Sequence, residues 1–287
     1  MNDISDFTYP ANFIKYLGTS GGRFSMIRQL RSTGGLWLRY GGLNGVIDPG
    51  PGSLVRICSA YPPLDSETID FILLTHKHVD HSTDASVLIE CMTHGKSSEK
   101  HGILIAPKDA ICGSEAVIIK HFRDRVKRIV IPCDGEIIDL GNGVTAEPVP
   151  HVHHGVDCFG YIFRAEGVPE WGIISDCRMD KTLFAERYKN CDFISLNTTF
   201  ADSKERIQHM SVTEANDLLK EINARRAVYT HLCPMLTGEK GELCLTERET
   251  DLSRVVAAAD GDVVDLDTLE VYREIAEKRP PTIYEKL

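Results

Sequence analysis

The sequence predicts an α/β chain: two mixed β-sheets packed face to face, with helices on the outside. Three observations carry that expectation. Strand-length apolar or alternating segments fill the earlier part of the chain. Helical segments interleave with strands only later. No internal repeat, low-complexity tract or long linker divides the 287 residues. That length is large for one core, but an α/β sandwich reaches it as one unit, so residues 1–287 are read as a single domain.

The elements follow in order. Phe13 to Leu17 reads as a strand that runs into the Gly-rich turn Thr19-Ser20-Gly21-Gly22. Leu36 to Tyr40 alternates as a second strand, and Asn44 to Asp48 is a third, stopped by Pro49-Gly50-Pro51-Gly52. The apolar run Ile69 to Thr75 has strand length and ends at a histidine cluster, after which a helix is expected over Thr83 to Met92. Strands are then expected at Gly102 to Ala106, Arg128 to Pro132, Glu136 to Leu140, Val144 to Val149, Cys158 to Arg164 and Trp171 to Ser175. From Asp192 the pattern becomes strand, helix (Val212 to Asn223), strand (Ala227 to Thr230), helix (Glu247 to Ala259) and a last strand over Val263 to Val271.

Composition bounds the function. With 42% hydrophobic and 26% charged residues the chain reads as a globular protein. No apolar run approaches the ~20 residues that span a bilayer, and Met1 to Thr8 is acidic and polar, unlike a signal peptide. A cytoplasmic protein without a membrane partner is expected. None of the nine cysteines sits in a C-x-x-C pair, so they read as reduced thiols and not as a zinc site. The formal net charge of −10 disfavours a general nucleic-acid binder, which needs a basic surplus. A small phosphate substrate stays compatible, because two dications can supply the positive charge.

The chemistry concentrates in His76-Lys77-His78-Val79-Asp80-His81. Three imidazoles and a carboxylate within six residues are ligands that suit zinc, manganese or iron. A loop leaving a strand aims His76 and His78 to one side, since alternate residues share a face. Asp80 and His81 come after the chain turns and face a neighbouring position, so one segment can feed two metals. A solvated helix start capped by Asp80 or Ser82 is the plainer alternative, and four ligand-type residues at this spacing argue against it.

At this point the sequence resembles the metallo-β-lactamase superfamily, whose signature is His-x-His-x-Asp-His on a loop after a hydrophobic strand. The resemblance extends to Leu17-Gly18-Thr19-Ser20-Gly21-Gly22, to Asp48 in Ile47-Asp48-Pro49-Gly50, and to a later histidine, a strand-ending aspartate and a strand-ending histidine. It implies a four-layer αβ/βα sandwich holding two divalent ions, with zinc foremost and manganese or iron as alternatives. Strand alternation alone does not choose among His151, His153 and His154. Resemblance to the family's RNase Z-like branch, where the ligand precedes a Gly-Tyr strand start, implies His154 ahead of Gly160-Tyr161, with His151 next. The other two then hydrogen-bond behind the site or face solvent. By the same resemblance, Asp176 bridges the metals and His231 is the last ligand. One metal is expected on His76, His78 and His154, and the second on Asp80, His81 and His231. Asp176 and a bridging hydroxide would join them, with Asp80 acting in catalysis as well as in binding.

His209 precedes a Ser211-to-Glu214 capping box and is not needed for capping. In the family's phosphodiesterase branches a histidine here faces the substrate phosphate, which implies that His209 is a general acid or phosphate binder. A plain surface histidine is its other reading. Asp48 is expected to orient a ligand histidine or to serve only as a turn residue. Lys77 and Arg178 are the cations nearest the ligands in sequence, with solvated surface as their default. The Gly18 to Gly22 turn lacks the Lys-Ser or Lys-Thr of a P-loop and reads as a tight turn. The resemblance is greatest to the small cyclic-phosphate phosphodiesterases. RNase Z carries a long basic arm between the third histidine and the bridging aspartate, whereas His154 to Asp176 leaves room only for a tight hairpin over Phe159 to Ser175. The expected activity is therefore hydrolysis of a small phosphodiester, with cyclic nucleotides and cyclic sugar phosphates among the candidates. A lactone or thioester hydrolase is the alternative, and RNase Z-type nuclease action ranks below it. Many relatives are dimers, and a homodimer is compatible with the sequence.

Overall fold

A computed structural model of the chain describes residues 7–96, 99–204, 206–237 and 253–273. The elements run β1 (Phe13–Tyr16), α1 (Arg23–Arg28), β2 (Leu36–Tyr40), β3 (Leu43–Ile47), α2 (Ser53–Cys58), β4 (Phe71–Leu73), α3 (Val79–Ser82), α4 (Ala85–Met92) and β5 (His101–Ile105). They continue α5 (Lys108–Ile111), α6 (Lys120–Arg123), β6 (Val126–Val130), β7 (Ile138–Gly141), β8 (Val144–His153), β9 (Val156–Ala165), β10 (Val168–Ile174) and α7 (Lys181–Arg187). The last are β11 (Phe193–Asn197), α8 (Val212–Leu219), β12 (Arg226–Thr230), α9 (Pro234–Thr237), β13 (Val255–Ala257), β14 (Val263–Asp265) and β15 (Val271–Tyr272).

The strands form two mixed sheets, ordered β15-β14-β1-β2-β3-β4-β5-β6 and β13-β12-β11-β10-β9-β8-β7. Their facing sides bury Tyr16, Leu38, Phe71 and Leu73 from the first against Phe163, Trp171, Ile173 and Phe193 from the second. The outer face of the first sheet, with Trp37, Ile72 and Leu104, is covered by Leu88, Ile89 and Met92 of α4. On the second, Ile162, Ile194 and Tyr229 lie under Phe184 of α7 and Ala215, Leu218 and Leu219 of α8. Each sheet is thus apolar on both sides, which explains the near-continuous hydrophobic runs in β4 and β11. The result is the predicted four-layer α/β sandwich.

Two expectations change. The helix over Glu247 to Ala259 is not found where it can be seen: Val255–Ala257 is a strand paired in parallel with β12, Ala227 opposite Val255. Its β-branched Val255-Val256 pair suits a pleated ladder, and residues 247–252 lie outside the described residues. The strand expected from Val263 to Val271 is instead two short antiparallel strands, β14 and β15, with Val264 opposite Val271.

Strands β3, β4 and β5 run parallel in one sheet, and β10, β11 and β12 run parallel in the other. Asp48, the His76–His81 segment, Asp176, Asn197-Thr198-Thr199 and His231 all lie at or just beyond the C-terminal ends of such strands. This edge is where open α/β sheets collect ligand-binding loops.

Candidate metal centre

Beyond β4, Leu74 and Thr75 lead into a loop carrying His76 and His78, and α3 then carries Asp80 and His81. One ring nitrogen each from His76, His78 and His153 lies within 4.8 Å of the others, and Asp80, His81 and His231 form a second group of the same kind. In the first, His153 Nε2 is 3.1 Å from His78 Nδ1. In the second, His81 Nε2 is 3.1 Å from His231 Nε2, and Asp80 Oδ2 is 3.8 Å and 3.5 Å from these two nitrogens. Asp176 Oδ2 lies between the groups, 3.7 Å from His153 Nε2, 3.5 Å from His81 Nε2 and 3.2 Å from His231 Nε2.

Backing hydrogen bonds orient the rings of His76, His81 and His153. Asp48 accepts from Thr75 N–H at 2.7 Å, from the Thr75 hydroxyl at 2.7 Å and from His81 Nδ1 at 2.9 Å. With its proton given to Asp48, Thr75 Oγ1 accepts from Ser175 Oγ at 2.7 Å and from His76 Nδ1 at 3.0 Å. His153 Nδ1 donates to the Gln208 carbonyl at 2.8 Å. His76, His81 and His153 therefore all use Nδ1 for the backing hydrogen bond and turn Nε2 inward, the orientation that presents it to a metal.

The chemistry of this donor set fits two divalent ions. His76 Nε2 is fully buried and has no hydrogen-bond partner among the described residues, a costly state for a polar atom unless a cation occupies the space it faces. A tetrahedral site with bonds of ~2.0–2.1 Å spaces its donors roughly 3.3 Å apart, and the distances above bracket that value. Burial opposes charge on Asp176, yet His231, His209 and His81 outweigh it and hold the carboxyl well below its usual range. Asp80 is likewise held down, His81 and His231 overcoming its burial. Both carboxylates are ionised and ready as ligands. Burial, then the neighbouring His81, pushes His76 well below the ordinary imidazole value, so that ring is neutral.

The place beside His76 and His78 that the sequence reading assigned to His154 is held by His153. β8 pairs with β9 up to His153 opposite Val156. His154 (φ 45°) and Gly155 (φ 74°) are then the two left-handed residues of the hairpin turn. His154 is exposed there. In β8 the residues Val149, His151 and His153 share one side, which puts His153 in the site and His151 behind it, against the Phe184 ring at 4.9 Å. Burial, then His153, takes His151 down to about 3.

His209 Nδ1 is 3.1 Å from Thr199 Oγ1 and 3.4 Å from Asp176 Oδ2, so this residue does reach the centre. The Ser211–Glu214 capping box that starts the next helix is formed. Thr199 Oγ1 also meets His231 Nδ1 at 3.0 Å. The hydroxyl can accept from His231 and give its own proton to His209 Nδ1, which leaves the His209 proton on Nε2. Burial takes His209 down to about 4 against the pull of Asp176, so the ring is neutral at neutral pH.

Lys77 is drawn away to Glu115 at 3.0 Å and Asp109 at 3.5 Å, and Arg178 is exposed. The Gly-rich turn does more than reverse the chain. A Cβ on Gly21 would stand 2.1 Å from the His231 ring, and Gly22 N–H donates to Asp80 Oδ2 at 3.0 Å. Sequence reasoning did not single out Asn197, whose side chain donates to Asp176 Oδ1 at 2.8 Å, nor Thr199, Ser175 or Gln208. For Asn197 and Thr199 the signal was the polar run Asn197-Thr198-Thr199 at a strand end.

Residues 44–232 match the model of a family described as the beta-lactamase superfamily domain. The uncharacterized protein MJ1374 of Methanocaldococcus jannaschii is 26% identical over 255 residues, covering 85% of this chain and 91% of its own. Among solved structures, the metallo-β-lactamase fold protein YhfI of Bacillus subtilis superposes with a TM-score of 0.71 at 21% identity, over 89% of this chain and 99% of that one. A diphosphatase of the PhnP family gives 0.63 at 18% identity, over 88% and 96%.

Proposed function

Because the chain belongs to the beta-lactamase superfamily and has the metallo-β-lactamase fold of its hydrolases, we propose that it hydrolyses a small phosphodiester at a two-metal centre. The observation that carries this reading is the place of His209: its Nδ1 lies 3.4 Å from Asp176 Oδ2, the oxygen shared by both ligand groups. A diphosphatase among the similar structures points to the same phosphoryl chemistry.

His76, His78 and His153 would hold one ion, Asp80, His81 and His231 the other, with Asp176 shared. When bound, such ions supply Lewis acidity toward a phosphoryl oxygen and lower the pKa of a hydrolytic water. The chain's own residues set the rest. Asp48 and Thr75 keep His81 and His76 in the binding tautomer. Asn197 holds Asp176 Oδ1, leaving Oδ2 for the centre. His209, neutral and carrying its proton on Nε2, donates a hydrogen bond to a phosphoryl oxygen as charge builds there. The link from β9 to β10 is a two-residue turn at Glu166-Gly167. With the net charge of −10, this short hairpin favours a small substrate over a folded RNA.

Metal analysis of the purified protein, paired with chromogenic phosphodiesters, lactones and thioesters, tests the reading. Diester turnover dependent on added zinc, manganese or iron is expected. Thioester or lactone turnover with no diester turnover would overturn it.

A further inference from the structure

The hairpin turn beside the centre carries a histidine that belongs to neither the His76-His78-His153 nor the Asp80-His81-His231 group. His154 occupies the first turn position with φ 45°, a left-handed conformation that Gly, Asn, Asp and His adopt more readily than other residues. Its ring is exposed, yet one nitrogen lies within 4.8 Å of ring nitrogens of both His153 and His209. The ring centroids are 4.5 Å from His153, 5.5 Å from His209 and 6.2 Å from His78. The exposed imidazole therefore stands at the mouth of the first ligand group, beside the residue given a phosphate-facing role.

The turn is also pinned. The Gln208 side-chain Oε1 accepts from the His154 backbone N–H, while the Gln208 carbonyl accepts from His153 Nδ1 at 2.8 Å. Gln208 immediately precedes His209. One residue thus ties the ligand histidine, the exposed turn histidine and the His209 loop to each other. The turn that presents His154 is therefore fixed relative to both His153 and His209.

We propose that His154 contacts the substrate, donating together with His209 to oxygens of the bound phosphoryl group, and that Gln208 positions it. This deepens the phosphodiesterase reading and rests on it. The two imidazoles supply hydrogen-bond donors on a side of the centre where Lys77 is paired with Glu115 and Asp109.

His154→Asn is the informative variant, because Asn tolerates the left-handed turn and the hairpin is retained. In metal-loaded protein, the affinity for inorganic phosphate measured by calorimetry should fall about tenfold, the scale of one charge-assisted hydrogen bond. Metal content and Tm should match the wild type. Gln208→Met should raise KM for bis(p-nitrophenyl) phosphate about threefold while kcat and metal content hold. Unchanged phosphate affinity in His154→Asn, alongside diester turnover by the wild type, overturns the proposal alone, as does loss of a metal ion in that variant. Weakened phosphate binding in His154→Asn with no diester turnover by the wild type strikes the phosphodiesterase reading and leaves the contact standing. A wild type that binds no phosphate overturns both.

Discussion

Asp48 Oδ2 accepts the Nδ1 proton of His81 at 2.9 Å, and through this contact a carboxylate at the end of β3 decides which nitrogen His81 turns to the centre. The same carboxylate governs His76 by way of the Thr75 hydroxyl. Asp48→Ala should therefore weaken metal binding by about 10–100-fold, the usual cost of losing such a support. A competitive chelator titration reads the change. Wild-type affinity in the variant would show that burial alone orients both rings.

His153 and His154 are neighbours with opposite expected behaviour. His153→Ala should remove one ion per chain, counted by elemental analysis, and abolish turnover. His154→Ala should keep both ions. The reverse pattern would mean that the hairpin turn rearranges when metal binds.

His209 touches Asp176 and Thr199 but belongs to neither the His76-His78-His153 nor the Asp80-His81-His231 group. His209→Ala should lower diester kcat/KM by about 10²-fold or more with unchanged metal content. Loss of an ion would move His209 among the ligands, and an equal effect on a thioester would separate it from phosphoryl chemistry.

The metal affinity should depend on pH with a definite sign. Burial opposes a charge on His81, but Asp176, Asp80 and Asp48 outweigh it and hold this ring well above the ordinary imidazole value. The metal-free chain therefore carries His81 protonated at neutral pH. A ligand needs the Nε2 lone pair, so loading releases about one proton and affinity rises with pH. Calorimetry at pH 7 in buffers of different ionisation enthalpy reads the proton directly. Without metal, the stability that His81 contributes is complete below its ordinary value and is lost as pH rises through the raised one. His153, taken down to about 3 chiefly by burial, acts oppositely: its contribution is complete above the ordinary value and is lost as pH falls toward 3.

Gly21 lies directly against the His231 ring, where a Cβ would stand at 2.1 Å. The ring has no room to yield, since Thr199 and the facing His81 hold both of its nitrogens. Gly21→Ala should cost about 1–3 kcal/mol of stability and loosen the second ion, as seen by thermal denaturation with and without metal. A variant of wild-type Tm and metal content would show that the turn has more play than its packing indicates.

Local pattern determined much of this protein. The run from His76 to His81 states its donors in six consecutive residues, and alternating or apolar segments announced nearly all the strands. Short helices such as α1 and α2 went unannounced, because six residues are too few to display a helical period. The choice between His153 and His154 was likewise closed to sequence. It depends on where the β8–β9 ladder stops, and a one-residue shift moves a side chain to the other side. Only the paired strands place His153 inward and His154 on the turn. Only the packing of two sheets brings Asp48, Thr199, Gln208 and Gly21, each unremarkable in sequence or ambiguous there, against the imidazoles they orient. Ligand identity is a matter of side-chain chemistry, which sequence carries. Ligand orientation is a matter of contacts between strands far apart in the chain, which exist only once the sandwich has closed.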